Sequence, residues 1–184
     1  MAEPPINGVA AQHRATMQQG LREAMSRVAG AVVVVTTTVA GRPWGVTVSS
    51  CCSLSMDPPL LLACMANKAV STKAIMEQSC FGVNVLAADQ MDIAARTSAV
   101  GVPKFIDDIV RDEIEMGTPL INGSLAAIHC ELYNALVVGD HTILIGHVDA
   151  VEVGPFRKPL LYFRREFCMP AEGPITPAPA APSG

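Results

Sequence analysis

Between Ala31 and Phe163 one pattern recurs: strand-sized runs of apolar and β-branched residues, each closed by a glycine, proline or aspartate turn signal. Ala31–Val39 is the first run. Ala40-Gly41-Arg42-Pro43 is a turn, and Trp44–Ser50 returns, so 31–50 reads as a hairpin. Asp57-Pro58-Pro59 is a second break, because a residue before proline avoids the helical region. Leu60–Ala66, Phe81–Leu86, Leu125–Val138, Thr142–Val153 and Leu160–Phe163 complete about seven strands. Within Leu125–Val138 the alternation sets Ala126, Ile128, Cys130 and Leu132 on one face and His129, Glu131 and Tyr133 on the other. The helices are short. Leu21, Met25 and Val28 have helical spacing over 17–29, with Gly30 as the stop; Ser71 opens a second helix to about Gln78 as its N-cap; Asp89 caps a third to Arg96. Residues 97–118 are irregular. An order with almost no βαβ alternation, no GxGxxG and no GxxxxGK[ST] excludes a dinucleotide-binding doubly wound sheet. It predicts a mostly β domain with short helices, closed or nearly closed as an antiparallel barrel.

A chain of 184 residues fits one domain, and its composition narrows the class. Half of it is hydrophobic and only 16% is charged, against about 25% for an ordinary soluble domain. Disorder over the whole length is thereby excluded, and burial of an extra face against a second copy is expected. A net charge of -4 argues against nucleic acid, and no apolar run reaches the roughly 18 residues of a membrane span. Met1–Gly20 lacks a basic stretch followed by an apolar one, so no secretory signal is expected. The six cysteines include no CxxC pair, which disfavours zinc and thioredoxin-like chemistry and suits free thiols in a reducing cytosol. The boundaries read as a flexible arm over 1–16, a domain over 17–169 and a Pro/Ala-rich disordered tail over 170–184.

Three clusters carry chemistry. Gly45-Val46-Thr47-Val48-Ser49-Ser50, followed by Leu54-Ser55-Met56-Asp57-Pro58-Pro59, puts small hydroxyl residues at a strand end. There they can hydrogen-bond a flat polar ring such as a flavin while the backbone comes close. The plainer alternative is an ordinary Ser/Thr-rich strand end. Ser71-Thr72-Lys73 at a helix start suits a phosphate, through free N–H groups, hydroxyls and the helix dipole; the alternative is a simple cap. Gly139-Asp140-His141 presents an imidazole at a strand start, where it can meet an incoming cofactor or simply face solvent. His129 and His147 read as polar-face residues of strands, and His13 as part of the arm.

In order and spacing these stretches resemble the short-chain flavin reductases, the reductase components of two-component flavin-dependent monooxygenases. The resemblance covers roughly residues 20–168. It is carried by Arg22-Glu23-Ala24-Met25, Val33–Thr37, the two segments within 45–59, Phe81-Gly82-Val83-Asn84-Val85-Leu86, Gly139-Asp140-His141 and Pro159-Leu160-Leu161-Tyr162. It implies an FMN-binding split β-barrel, antiparallel and Greek-key-like, as a homodimer with flavin near the subunit interface. It also implies ring contacts at Trp44, Gly45, Val46 and Thr47, with Ser49 and Ser50 beside them. Cys64, Met65 and Ala66 would line the cofactor, Val70 and Ser71 would meet its phosphate region, and Arg96, followed by Thr97, would help to hold that phosphate. His141 would be the catalytic, nicotinamide-side residue, with Tyr162 and Arg164 on the same side. No metal is implied. Three positions depart from the pattern: Cys51 follows the Ser-Ser pair, Thr97 follows Arg96, and the closing Tyr-x-x-Gly-x-Tyr stands here as Tyr162-Phe163-Arg164-Arg165-Glu166-Phe167.

The implied reaction is hydride transfer from NADH or NADPH to FMN or FAD, in the cytoplasm, with reduced flavin supplied to a separate oxygenase. The protein would stack the two rings at near-attack distance and set donors at the flavin N1/O2 edge. Two alternatives stay open at this level. One is a split-barrel flavoprotein that keeps FMN and acts on another substrate. The other is a non-catalytic flavin- or haem-binding module.

Overall fold

The β-branched run folds as the hairpin that its sequence predicts. In the computed structural model, which describes residues 6–111 and 117–171, β2 (Val33–Val39) pairs with β3 (Arg42–Val48) in a register running from Val33↔Val48 to Val39↔Arg42. Ala40 and Gly41, both at positive φ (50° and 75°), make the two-residue turn whose twist suits such a hairpin. The strand therefore starts at Arg42, inside the expected four-residue turn. Gly30–Ala31 separates as β1 and pairs with β9 (Leu161–Phe163), which in turn pairs with β10 (Glu166–Cys168).

The remaining strands are β4 (Cys51–Met56), β5 (Pro59–Ala66), β6 (Cys80–Val85), β7 (Ala126–Val138) and β8 (His141–Val153). With β2 and β3 they form one seven-stranded sheet in the order β3-β2-β6-β7-β8-β5-β4, antiparallel at every pairing. The helices are α1 (Ile6–Ser26), α2 (Val70–Gln78) and α3 (Met91–Ser98), the last entered through a single 3₁₀ turn at Ala88–Gln90. Among the described residues no helix is long and apolar enough to cross a membrane.

Two cores lie on opposite sides of β2. Val33 and Val35 join Leu61, Ala63, Met65, Phe81, Val83, Cys130 and Leu144 in the first, so β2, β5, β6, β7 and β8 turn one face toward a common interior. Val32 and Val34 join Leu86, Ile93, Ala94, Ile106, Ile121 and Leu160 in the second, beneath α3. A strand buried on both faces reads as a continuous apolar run, and β2 does. Each valine so buried stabilises the fold by about 1.5–3 kcal/mol.

On β7 the expected alternation holds for Ile128, Cys130 and Leu132, which meet the first core. A register shift between Leu132 and Asn134 then hands the inward role to Ala135. On the opposite face His129 is buried, 2.7 Å from the Thr118 hydroxyl, so it is an internal pairing rather than a solvated polar residue.

Several local expectations are corrected. α1 starts at Ile6 and ends at Ser26, earlier than the expected start at 17, so residues 6–16 are helical, and Val28 lies beyond the helix. The N-cap of α2 is Ala69, and Ser71 is its second helical residue. The N-cap of α3 is Gln90, and Asp89 sits in the preceding 3₁₀ turn. β4 and β10 are strands beyond those expected. The tail from residue 172, and residues 112–116 of the irregular segment, lie outside the described residues.

Candidate functional site

The C-terminal end of β3 opens onto a groove. A cavity of about 310 Å³ is lined by Thr47, Ser49, Ser98, Tyr162, Arg165 and Phe167, among others. A second, of about 520 Å³, shares Ser49, Tyr162 and Arg165 and continues past Ser50 to Arg22 and Met25 of α1. Three elements build this groove: the β3 end supplies hydroxyls, α1 supplies one wall, and the β9–β10 hairpin supplies a ring and a charge. Tyr162 is fixed by its pairing with Gly30 and by Phe167, whose ring centroid is 5.4 Å away.

Hydrogen bonds hold the hydroxyl-bearing strand against α3. The Thr47 hydroxyl lies 2.9 Å from the Ala94 carbonyl and 2.6 Å from the Thr97 hydroxyl, and Thr97 itself donates to the Ile93 carbonyl at 2.7 Å. The single Thr47 proton is committed inside this network, which leaves its lone pairs to accept from a ligand N–H. Gly45 is closely packed: a Cβ there would lie 3.0 Å from both Thr97 Cγ2 and Val34 Cγ1, so those side chains would have to give by a few tenths of an ångström to admit it.

A second group of residues converges on the Gly139–His141 turn. Asn67 stitches that turn to the end of β5. Its backbone N–H donates to the Asp140 carbonyl (3.0 Å), its side-chain amide donates to the Gly139 carbonyl (3.1 Å), and its Oδ1 accepts from Thr142 (2.8 Å). His141 is half-exposed and lies opposite Ala66. Its Nδ1 is 2.7 Å from Asp140 Oδ1, and the imidazole holds that carboxyl below the usual carboxylate range, with a smaller contribution from the Arg22 charge. The two groups are joined through β5. The Cys64 N–H donates to the Ser50 carbonyl at 2.9 Å, and Cys64 to Ala66 is about 7 Å of strand.

Most of the expected site residues fall into three sets. Thr47, Ser49, Ser50 and Tyr162 line the groove, while Cys64, Ala66 and His141 are connected to it through the Cys64–Ser50 backbone bond and the Ala66–His141 pairing. Val46 and Met65 turn into the first core, so only their backbone is available to a ligand. Trp44 packs edge-on against Phe105, the Gly45 N–H donates to the Lys104 carbonyl, and Thr97 is fully buried, so these three belong to the seam between β3 and its neighbours. Arg96 pairs with Asp108 at 2.9 Å while its buried Nη2 lacks a partner. Val70 is exposed at the start of α2, and the adjacent Ser71 hydroxyl is buried without a partner. Arg164 is exposed, its N–H donating to the Ser26 carbonyl, and Arg165 is the arginine that lines the groove.

Sequence reading missed Arg165, Asn67 and the wall formed by α1. Arg22 and Met25 stood among the family landmarks, and that was the available signal for α1. Burial pushes the Cys51 thiol up to about 11 and, in the first core, the Cys130 thiol up to about 12, so neither of these two is a nucleophile at neutral pH. No group of side chains among the described residues is arranged to hold a metal ion.

Hydroxyls on a strand end, one tyrosine ring, two arginines and a histidine at the far end of the same strand path are groups able to hydrogen-bond a flat, anionic ligand. The buried orphan atoms Ser71 Oγ and Arg96 Nη2 fit a phosphorylated one, since a phosphate oxygen satisfies such donors. The chain belongs to the flavin reductase-like family: the profile of the "Flavin reductase like domain" matches residues 25–170. It is 37% identical over 140 residues to "Flavin reductase (NADH)" of Kitasatospora aureofaciens, covering 75% of this chain and 73% of that protein. It is 34% identical over 148 residues to "Flavin-dependent monooxygenase, reductase subunit HsaB" of Rhodococcus jostii, covering 80% and 75%. Among solved structures it resembles BorF, "the Flavin Reductase Component of a Bacterial Two-Component Tryptophan Halogenase", at a TM-score of 0.77 and 32% identity, covering 85% of this chain and 99% of that one.

Proposed function

We propose that this protein is an NAD(P)H:flavin oxidoreductase that reduces FMN or FAD and supplies the reduced flavin to a separate monooxygenase. The observation that carries the reading is the continuous path from the hydroxyl-lined end of β3 through Cys64 to His141, in a chain of the flavin reductase-like family. A bound flavin would supply the acceptor for the hydride of the nicotinamide nucleotide. The chain's own residues bind and orient. Thr47, Ser49 and Ser50 offer hydroxyls to the polar edge of the ring, and Tyr162 gives the groove its one aromatic wall beside Phe167. Ser71 and Arg96 supply donors for phosphate, and His141, held by Asp140, positions the nicotinamide. Exposed Leu136, Val137 and Val138 at the tip of the β7–β8 hairpin support a second copy covering apolar surface, as in a homodimeric split barrel. Free cysteines support a cytoplasmic setting.

The test is oxidation of NADH and of NADPH, followed by absorbance, with FMN, FAD and riboflavin added in turn. Oxidation that depends on added flavin is expected, and its absence with all three overturns the reading. A purified protein that is yellow after dialysis would instead favour a retained flavin. Ser71→Ala tests the phosphate end. Removing an unpartnered buried hydroxyl should leave Tm unchanged or slightly higher. The Kd for FMN, read by fluorescence quenching, should rise about fivefold, the effect of one lost hydrogen bond near 1 kcal/mol.

A further inference from the structure

The turn between β9 and β10 is made of two arginines in left-handed backbone, Arg164 at φ 52° and Arg165 at φ 68°. A two-residue hairpin turn of this hand favours glycine, asparagine or aspartate, because a Cβ crowds the following carbonyl. Arginine here is held against its own conformational preference, a condition that gathers at functional sites. Its side chain has somewhere to act: Arg165 lines both cavities of the groove, beside Ser49 and Tyr162. The carboxylate it meets, Glu23, is 3.7 Å away, more than half exposed, and also paired with Arg27 at 3.5 Å. Such a contact is longer than a hydrogen bond and leaves most of the five guanidinium donors available. Arg22 lines the larger cavity too, and its charge reaches the Asp140 carboxylate at the other end of the site. Two positive charges therefore flank a hydroxyl-lined groove in a protein whose net charge is -4.

We propose that Arg165, assisted by Arg22, is a phosphoryl-recognising subsite that sets how tightly a phosphorylated nucleotide is held in the groove. The inference rests on the flavin reductase reading and adds to it a binding residue and the group that residue reads. The planar guanidinium can engage two phosphate oxygens at once, which a lysine cannot. The phosphoryl group can belong to the flavin nucleotide or to the nicotinamide dinucleotide, and the experiment separates these two sources.

Arg165→Gly is the informative variant, because glycine adopts φ 68° without strain and the fold should keep a Tm near that of the parent. Kd values for riboflavin, FMN and FAD and KM values for NADH and NADPH are compared with the unmodified protein, whose flavin-dependent NAD(P)H oxidation is established first. A rise of about tenfold in the FMN and FAD Kd values, with riboflavin within twofold, supports the inference and assigns the flavin phosphate to this subsite in place of Ser71 and Arg96. A similar rise in KM for a nicotinamide nucleotide, with all flavin Kd values unchanged, supports it and assigns the other source. Arg165→Lys should recover only part of either loss. Riboflavin weakened as much as FMN and FAD overturns the inference, since the contact would then be to the ring. Constants that all stay put in an active enzyme overturn it too, and leave the flavin reductase reading intact. An unmodified protein that neither binds flavin nor oxidises NAD(P)H removes that reading and this inference together.

Discussion

Asn84→Leu is expected to destabilise the fold by about 3 kcal/mol, seen as a lower urea midpoint and a Tm lower by roughly 6–12 °C. Asn84 is fully buried on β6, where an amide is tolerated only if its hydrogen bonds are met. They are met by three groups. The Ile121 N–H donates to Asn84 Oδ1 at 2.8 Å, and Asn84 Nδ2 donates to the Val34 carbonyl and the Thr36 hydroxyl, both at 3.1 Å. Leucine has nearly the same shape and none of this capacity. The buried Ile121 N–H would be orphaned, the largest part of the cost. Thr36 keeps its own bond to the Pro119 carbonyl, so the loss should be graded rather than complete. The effect should also be local, with amide exchange at Ile121 accelerating most. Ile121 packs in the second core with Ile93 and Ala94 of α3, the helix that braces Thr47, so flavin affinity should weaken in step. An unchanged urea midpoint would show that the 118–122 segment is held by packing alone.

The strands were largely legible because the same physics writes and places them. The β-branched run of β2 has two cores to fill, and its turn carries a glycine. What stayed hidden lacked such a signal. Residues 10–25 of α1 are all exposed, so that helix leaves no stripe of buried positions to read, and its first turns looked like an arm. β4 is an edge strand, paired only with β5 and mostly exposed, and its Cys-Cys-Ser-Leu-Ser sequence does not alternate. The β9–β10 turn contains neither glycine nor asparagine, so two consecutive arginines read as the end of a strand.

Site legibility followed the same division. The hydroxyl residues of β3 and the Gly-Asp-His turn were visible as local clusters. Their connection was not, because it runs through register: the Ser50–Cys64 hydrogen bond, the Ala66–His141 pairing and the three Asn67 hydrogen bonds are long-range facts. Likewise, nothing in Trp44-Gly45-Val46-Thr47 says that Phe105 and the Lys104 carbonyl cover its first half and that the core takes Val46. Alternation alone would set Thr47 and Ser49 outward together. The identity of what lies outside, the groove for both and α3 as a brace for Thr47, belongs to the tertiary structure.

His141→Ala is expected to raise KM for the nicotinamide nucleotide at least tenfold while the flavin Kd stays within twofold. The ring is placed by its neighbour. The Asp140 carboxyl titrates below the ordinary range, so it is ionised at neutral pH and accepts from Nδ1, which fixes the tautomer. Nε2 is then the ring nitrogen left to meet a ligand, as an acceptor when the imidazole is neutral and a donor when it is protonated. Loss of one hydrogen bond that involves a charged group costs about 1.5–3 kcal/mol, or roughly ten- to a hundredfold in affinity. The β3 hydroxyls proposed to meet the flavin are untouched by the change, which is why the two constants should separate. Because the side chain is half-exposed on a turn, the variant should fold as the parent does, and its circular dichroism and Tm check this. Asp140→Asn supplies the finer test. It keeps an acceptor for Nδ1 but removes the charge, so KM should rise only about threefold, within the span of weakening one hydrogen bond. A His141→Ala enzyme with unchanged KM for both NADH and NADPH would assign the nicotinamide end of the groove elsewhere.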